Sequence, residues 1–290
     1  MVTIPRPGPA AGPVTISARA RLAKRPLAAW NRLHSPPTMI DLKGHRIFIA
    51  GGSRGIGRAA ALLAAQAGAE VALSYRTDEA AARATAAQIE ALGRRAFIAA
   101  ARVEDEGEIR RAIDGAAAAL GGLDGLVVSA GIFEGSPLEE MTLEFWNRTL
   151  AVNLTGTFLS VRAAVPHFRR QGRGGSIVLY TSTAGQRGSA VYSAYATSKG
   201  GQILFMRSMA KELAPDRIRV NCVAPAWTDT DMARGPIDQI GRDKVIAGFP
   251  LGRIGRPEDA AGATAYLLSD LAQFVTGMTL TVDGGQDMRG

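Results

Sequence analysis

The chain has 290 residues, 47% hydrophobic and 21% charged, enough to bury a large core within one α/β domain. Its net charge of +8 is concentrated in residues 1–38, where Arg6, Arg19, Arg21, Lys24, Arg25 and Arg32 meet no acid; removing those six leaves 28 basic residues against 26 acidic ones. A near-neutral body excludes a nucleic-acid footprint on the domain, and the absence of any apolar run of roughly 18 residues excludes a helical membrane span.

The first 38 residues also hold seven of the 14 prolines and show no hydrophobic period. They read as a disordered or weakly ordered extension ahead of a domain over 39–290. No apolar segment follows their charges, which argues against a secretory signal. An organelle transit segment is one reading. The simpler one is a start placed upstream of Met39-Ile40-Asp41-Leu42-Lys43-Gly44, itself a natural beginning. A single cysteine, Cys222, rules out an internal disulfide and points to a reducing, cytoplasmic setting. At a strand end it reads as buried packing rather than as a nucleophile.

From Lys43 onward strands and helices alternate. The apolar run 45–50 is followed by the glycine-rich stretch Ala50-Gly51-Gly52-Ser53-Arg54-Gly55-Ile56-Gly57 and an alanine-rich helix over 56–67. Strand, glycine loop and helix place free backbone N–H groups where a phosphate can meet them. Further strands are expected at 70–75, 96–100, 124–129, 175–181, 217–223 and 279–282, and further helices at 78–92, 105–120, 142–171, 193–214 and 257–269. Continuously apolar strands separated by helices predict a doubly wound parallel sheet of seven strands covered on both faces. The Gly/Pro-rich stretch 234–256 is long enough for a functional flap.

Candidate chemistry gathers in 182–199. Tyr195 and Lys199 stand at i and i+4 on one helix face, and an ammonium beside a phenol pulls its pKa toward the working range. Tyr192 has Ala196 at the same offset and lacks that partner. Ser182, just past a strand, can point its hydroxyl into the crevice at the strand's carboxyl end, although a serine there is more commonly a turn residue. Asn153 is a poor mid-helix residue, so it predicts a local distortion with a bound water, or else a satisfied core amide. His34, His45 and His167 are scattered, and no metal-ligand set is visible.

With these residues in this order, the chain from about Met39 to Gly285 resembles the short-chain dehydrogenase/reductase family and is similar to its 3-oxoacyl-[acyl-carrier-protein] reductases. Ala50 to Gly57 matches the family's T-G-x-x-x-G-x-G with alanine for threonine. Tyr195 and Lys199 match its Tyr-x-x-x-Lys, Ser182 its serine and Asn153 its helix asparagine. Pro225-Ala226 with Thr230, and Thr276 to Gly285, match its later segments. The resemblance implies a Rossmann-like fold and hydride exchange between NAD(P)(H) and a ketone or secondary alcohol. It assigns Tyr195 as acid/base, Lys199 as the group that holds the nicotinamide ribose and lowers the tyrosine's pKa, Ser182 as the group polarising the carbonyl, and Asn153 as anchor of a water feeding protons to the lysine. Cofactor contacts are implied at Gly51, Ser53, Arg54, Gly55, Ile56, Gly57, Tyr75, Arg76, Arg102, Val103, Ser129, Ala130, Gly131, Pro225, Ala226, Thr228 and Thr230. Three of these depart from the family: Ser129 for its asparagine, Arg102 for an acidic residue near the adenine, and Ala226 for a glycine.

At the end of the second strand the family chooses its cofactor; here Tyr75 and Arg76 replace the usual acid and Arg54 lies close by. Two guanidinium groups suit a 2′-phosphate, so NADP(H) is expected ahead of NAD(H), unless Asp78 folds back onto the ribose. The leading reading is an NADPH-dependent ketone reductase. Its rivals are a sugar, polyol or other secondary-alcohol dehydrogenase and a non-catalytic dinucleotide-binding redox sensor. Phe133, Gln186, Ala190, Tyr192 and Trp227 are expected to line the substrate crevice, with a flap from Thr228 to Pro250 closing over it; Trp227 and Phe249 either favour an apolar ligand or pack the flap's own core. The basic run His167 to Gly174 could dock an acidic acyl carrier protein or simply complement a helix C-terminus. Phe158, Leu159, Val161, Leu204, Phe205 and Met209 surround their helices with apolar surface, which predicts a homo-oligomer, most simply a tetramer.

Overall fold

The computed structural model describes residues 40–287; the extension expected at 1–38 lies outside them. The strands are β1 Arg46–Ala50, β2 Glu70–Tyr75, β3 Ala96–Ala100, β4 Gly125–Val128, β5 Gly175–Tyr180, β6 Ile218–Pro225 and β7 Thr279–Val282. They form one parallel sheet in the order β3-β2-β1-β4-β5-β6-β7. Their unbroken apolar character follows from burial on both faces. Ile47 and Ile49 join Val71, Leu73, Val127 and Val178 in one core, while Phe48 and Ala50 join Leu126, Val128, Ile177 and Leu179 in the other.

The helices are α1 Gly55–Gln66, α2 Glu79–Ala91, α3 Glu106–Leu120, α4 Leu143–Leu150, α5 Gly156–Gln171, α6 Thr183–Arg187, α7 Ser193–Glu212, α8 Asp231–Ile240, α9 Arg242–Ile246 and α10 Pro257–Leu268. Side-chain caps set several boundaries. Asp78 Oδ1 accepts from Ala81 N at 2.9 Å and Asp105 Oδ1 from Glu108 N at 2.9 Å, so each opens its helix by satisfying an orphan donor. The chain builds β1, β2 and β3 outward in one direction and then returns to place β4 on the other side of β1. That reversal opens a crevice outside the carboxyl ends of the strands, where α/β sheets take their ligands.

Two expectations are corrected. The helix expected over 142–171 is interrupted by a π-helical turn at Ala151–Thr155. The Asn153 side chain is the cause: it accepts from Ile132 N at 2.8 Å and donates to Ile132 O at 3.0 Å and Ser198 Oγ at 3.0 Å. The stretch 234–256, read as an irregular flap, instead carries most of α8 and all of α9. Pro236 lies inside α8, and the pair is held by a small core of Ile237, Val245, Phe249 and Ile254. Phe249 therefore packs the flap and does not reach the crevice.

Candidate active site

The glycine loop is shaped by backbone approach. Gly51 and Gly55 have φ of 80° and 55°, in the left-handed region that side chains disfavour. A Cβ on Gly57 would lie 2.1 Å from the Gly51 carbonyl oxygen, and one on Gly51 would lie 2.7 Å from Ala130 N. Ser129 N and Ala130 N both donate to Ala50 O at 2.9 Å, which pins the turn after β4 against the loop. The result is a cavity of about 240 Å³ lined by Gly51, Ser53, Arg54, Gly55 and Ile56 from the loop, with Tyr75 and Arg76 from the end of β2. Arg102 and Val103 after β3 and Ser129, Ala130 and Gly131 after β4 complete it. Gly57 acts behind this surface by letting α1 start close to the loop.

Asp78 also lines that cavity, beside Arg76 and Thr77. Asp78 is engaged as the α2 cap. Arg102 is tied to Glu108 at 2.7 Å and Asp105 at 3.2 Å; this pairing holds the Glu108 carboxyl down at about 2. The Arg54 and Arg76 side chains make no hydrogen bond or ion pair to other described residues. Two uncommitted cations beside a loop of backbone N–H groups are donors suited to the phosphates of a dinucleotide.

A second cavity of about 160 Å³ adjoins the first, sharing Ile56, Ser129, Gly131, Ile132, Thr230 and Met232. Ser182, Tyr195, Lys199, Pro225, Ala226 and Thr228 line it as well, so the crevice brings together the residues singled out in sequence. Ser182 caps the short helix α6, its Oγ accepting from Ala184 N at 3.1 Å, and it also hydrogen-bonds Tyr195. Lys199 Nζ donates to the Tyr180 carbonyl at 2.8 Å and lies 5.7 Å from the Tyr195 ring centroid.

Burial dominates the electrostatics of Tyr195 and Lys199. Burial pushes the Tyr195 phenol up to about 12, partly offset by the Ser182 hydrogen bond, and burial holds Lys199 down at about 8. Desolvation penalises phenolate and ammonium alike, favouring the neutral form of each. Cys222, pushed up to about 12 by burial, is inert packing.

Sequence reading missed Gln202. Its Nε2 donates to Asn153 O at 2.8 Å and to Thr157 Oγ1 at 2.6 Å, while Thr157 Oγ1 donates to the same carbonyl at 2.7 Å. The Asn153 carbonyl thus ties α5 to α7 through Thr157 and Gln202. A fully buried glutamine three residues after Lys199 was the available signal. Of the expected substrate-crevice residues, Phe133 and Trp227 line the cavity, whereas Gln186, Ala190 and Tyr192 do not. Tyr192 stacks behind Phe133 at 4.5 Å, and Phe133 meets Tyr195 edge-on at 4.7 Å and Trp227 at 5.6 Å. Gln186 donates to Thr281 Oγ1 at 3.1 Å. Among the described residues no group of three or more His, Cys, Asp or Glu side chains could hold a metal.

Comparison with known proteins agrees with this geometry. A family model described as Enoyl-(Acyl carrier protein) reductase matches residues 50–287. An L-rhamnose 1-dehydrogenase (NAD(P)(+)) of Sphingomonas sp. is 39% identical over 84% of this chain and 96% of its own length. A 3-oxoacyl-[acyl-carrier-protein] reductase of Synechocystis sp. is 36% identical over 86% of this chain and all (100%) of its own. A putative short-chain alcohol dehydrogenase from Sinorhizobium meliloti superposes with a TM-score of 0.81 at 35% identity, covering 85% of this chain and 98% of that one. The chain belongs to the short-chain dehydrogenase/reductase family, whose members are NAD(P)-dependent oxidoreductases acting between CH–OH groups and carbonyls.

Proposed function

We propose that this protein is an NADP(H)-preferring enzyme that interconverts a compact ketone and its secondary alcohol within a single catalytic domain over 39–290. The observation that carries the reading is the convergence of Ser182, Tyr195 and Lys199 on the cavity adjoining the glycine-loop cavity. The bound nicotinamide supplies the hydride during reduction and accepts it during oxidation. Ser182 and Tyr195 hold the substrate oxygen between two hydroxyls, and Tyr195, kept protonated by burial, gives its proton to that oxygen during reduction. Lys199, anchored on the Tyr180 carbonyl, orients beside Tyr195 and takes part in holding the cofactor ribose. Asn153, clamped by Ile132, Ser198 and Gln202, fixes the catalytic helix α7 against the end of β4. A redox sensor without turnover has no need of a buried lysine and tyrosine arranged in this way.

The acyl-carrier reading draws less support, because most of the basic run is paired internally, Arg170 alone meeting no acid among the described residues. His167 pairs with Asp114, Arg169 with Asp216 and Arg173 with Asp124. A homo-oligomer, most simply a tetramer, is supported by Phe158 and Leu204, which are 41% and 64% exposed on α5 and α7. Leu159 and Val161 belong to the core, and Phe205 and Met209 pack against it. No described helix is long and apolar enough to cross a membrane, and the lone buried thiol suits a reducing cytoplasm. The test is NADPH oxidation by the purified full-length protein over a panel of small cyclic, aromatic and 3-oxoacyl ketones. Turnover of at least one supports the reading, and cofactor binding without turnover of any supports the sensor.

A further inference from the structure

Among the polar side chains lining the catalytic cavity, Gln286 is one that the reaction as derived leaves unused. The reacting oxygen takes Ser182 and Tyr195. The Thr228 and Thr230 hydroxyls are engaged within the chain, donating to Ala226 O at 3.0 Å and accepting from Ala233 N at 3.3 Å. Gln286 also lines the cavity, and its Oε1 is shut off from solvent with no hydrogen-bond partner. Such an acceptor is costly to bury unless something donates to it.

The tail that carries Gln286 is held in place from both sides. Asp283 builds the turn, its two carboxylate oxygens accepting from Gly285 N at 3.0 Å and Asp287 N at 2.8 Å, and its carbonyl from Gln286 N at 3.1 Å. Gly284 and Gly285 supply the positive φ values, 59° and 86°, that let the chain turn back. Asp287 Oδ2 then lies 2.9 Å from Arg187 Nε at the end of α6, a charge contact without hydrogen-bond alignment, with only 11% of the Asp287 side chain exposed. Arg187 itself lines the cavity, but this ion pair neutralises it. The wall near the tail is therefore polar without net charge, beside apolar Phe133, Trp227 and Met232.

We propose that Gln286, latched by the Arg187–Asp287 ion pair, is a specificity-determining residue that hydrogen-bonds a second hydroxyl on the substrate. This rests on the ketone–alcohol reading above and narrows it to neutral hydroxylated substrates. A hydroxyl suits the amide because it can donate to Oε1 and accept from Nε2. Arg187, the cation beside the tail, is already paired with Asp287 and adds no attraction for a carboxylate or phosphate at that wall. A site with a buried polar group discriminates against the analogue that leaves it unpaired.

The experiment uses the full-length protein with NADP⁺ and compares cyclohexanol with the 1,2-, 1,3- and 1,4-cyclohexanediols. In the wild type at least one diol is expected to exceed cyclohexanol in kcat/KM by about tenfold, as one neutral hydrogen bond allows. Gln286→Leu should bring that ratio close to one, and Asp287→Asn, which weakens the latch, should lower it through KM of the diol. Should Gln286→Leu fail to melt cooperatively, Gln286→Asn, whose shorter amide falls back from the cavity, must lower the ratio instead. Oxidation of cyclohexanol with no diol preferred, or a preference that survives in the folded Gln286 variant, overturns the proposal and leaves the general reading standing. Failure to oxidise any of the four alcohols, with no ketone reduced either, overturns both.

Discussion

Replacing Arg54 and Arg76 together by alanine tests the cofactor assignment most directly. Both guanidinium groups line the cavity of about 240 Å³ at the carboxyl end of β2, and neither has a partner among the described residues. The competing acid, Asp78, is engaged with Ala81 N at 2.9 Å, and Arg102 is spent on Glu108 and Asp105. A charge-assisted hydrogen bond contributes roughly 1.5–3 kcal/mol; both arginines are exposed, so the lower end applies. Two such contacts amount to about 3 kcal/mol, or roughly a hundredfold preference for NADPH over NADH, and each single substitution should remove about tenfold of it. The assay is kcat/KM for the two cofactors with one ketone at fixed, low ionic strength, repeated at higher salt, where screening should shrink the preference. A wild type that favours NADH, or a double variant that keeps the preference for NADPH, would refute the reasoning and place the ribose contact on other residues.

Four further outcomes are expected. Tyr195→Phe should lower kcat by at least ~10²-fold while NADPH binding, read by fluorescence, stays within a few-fold of wild type; retention of a tenth or more of wild-type turnover contradicts the acid role. Gly57→Ala should weaken NADPH binding on the order of tenfold or more, because its Cβ would stand 2.1 Å from the Gly51 carbonyl oxygen and the loop must move. Lys199, held at about 8 in the fold against 10.5 ordinarily, binds fewer protons folded than unfolded between those values, so it makes wild-type stability rise with pH across that window, by about 3 kcal/mol. Cys222, raised from 9 to about 12, acts in the opposite sense, so urea unfolding is compared with Lys199→Met, which keeps the thiol; a pH-independent difference between the two proteins contradicts the buried lysine. Light scattering at micromolar concentration should give a multiple of the 30.4 kDa chain mass, most simply four, and a monomer refutes the apolar-face argument for Phe158 and Leu204.

The strands were legible in the sequence to within two residues because a parallel sheet buried on both faces demands short, continuously apolar runs, and glycine, proline and polar residues bound each one. The glycine loop and the Tyr195–Lys199 spacing were legible for the same kind of reason: each is a local pattern whose geometry is set within a few residues. What lay beyond reach depended on residues far apart in the chain. A distortion at Asn153 was legible, but its form as a π-helical turn follows from Asn153 meeting Ile132 and Ser198 across three elements, and the helices within 231–246 follow from a small core that overrides Gly235 and Pro236. Burial, which belongs to the assembled fold, raises the Tyr195 phenol and lowers Lys199, an effect that the i,i+4 spacing by itself does not carry. Gln286 enters the active site only because Asp283 turns the tail and Arg187, some hundred residues earlier in the chain, holds it there. Local pattern determined which elements form and which residue types the chemistry uses; tertiary packing decided their protonation, their partners and the wall that faces the substrate, because desolvation and long-range hydrogen bonding exist only once the chain is folded.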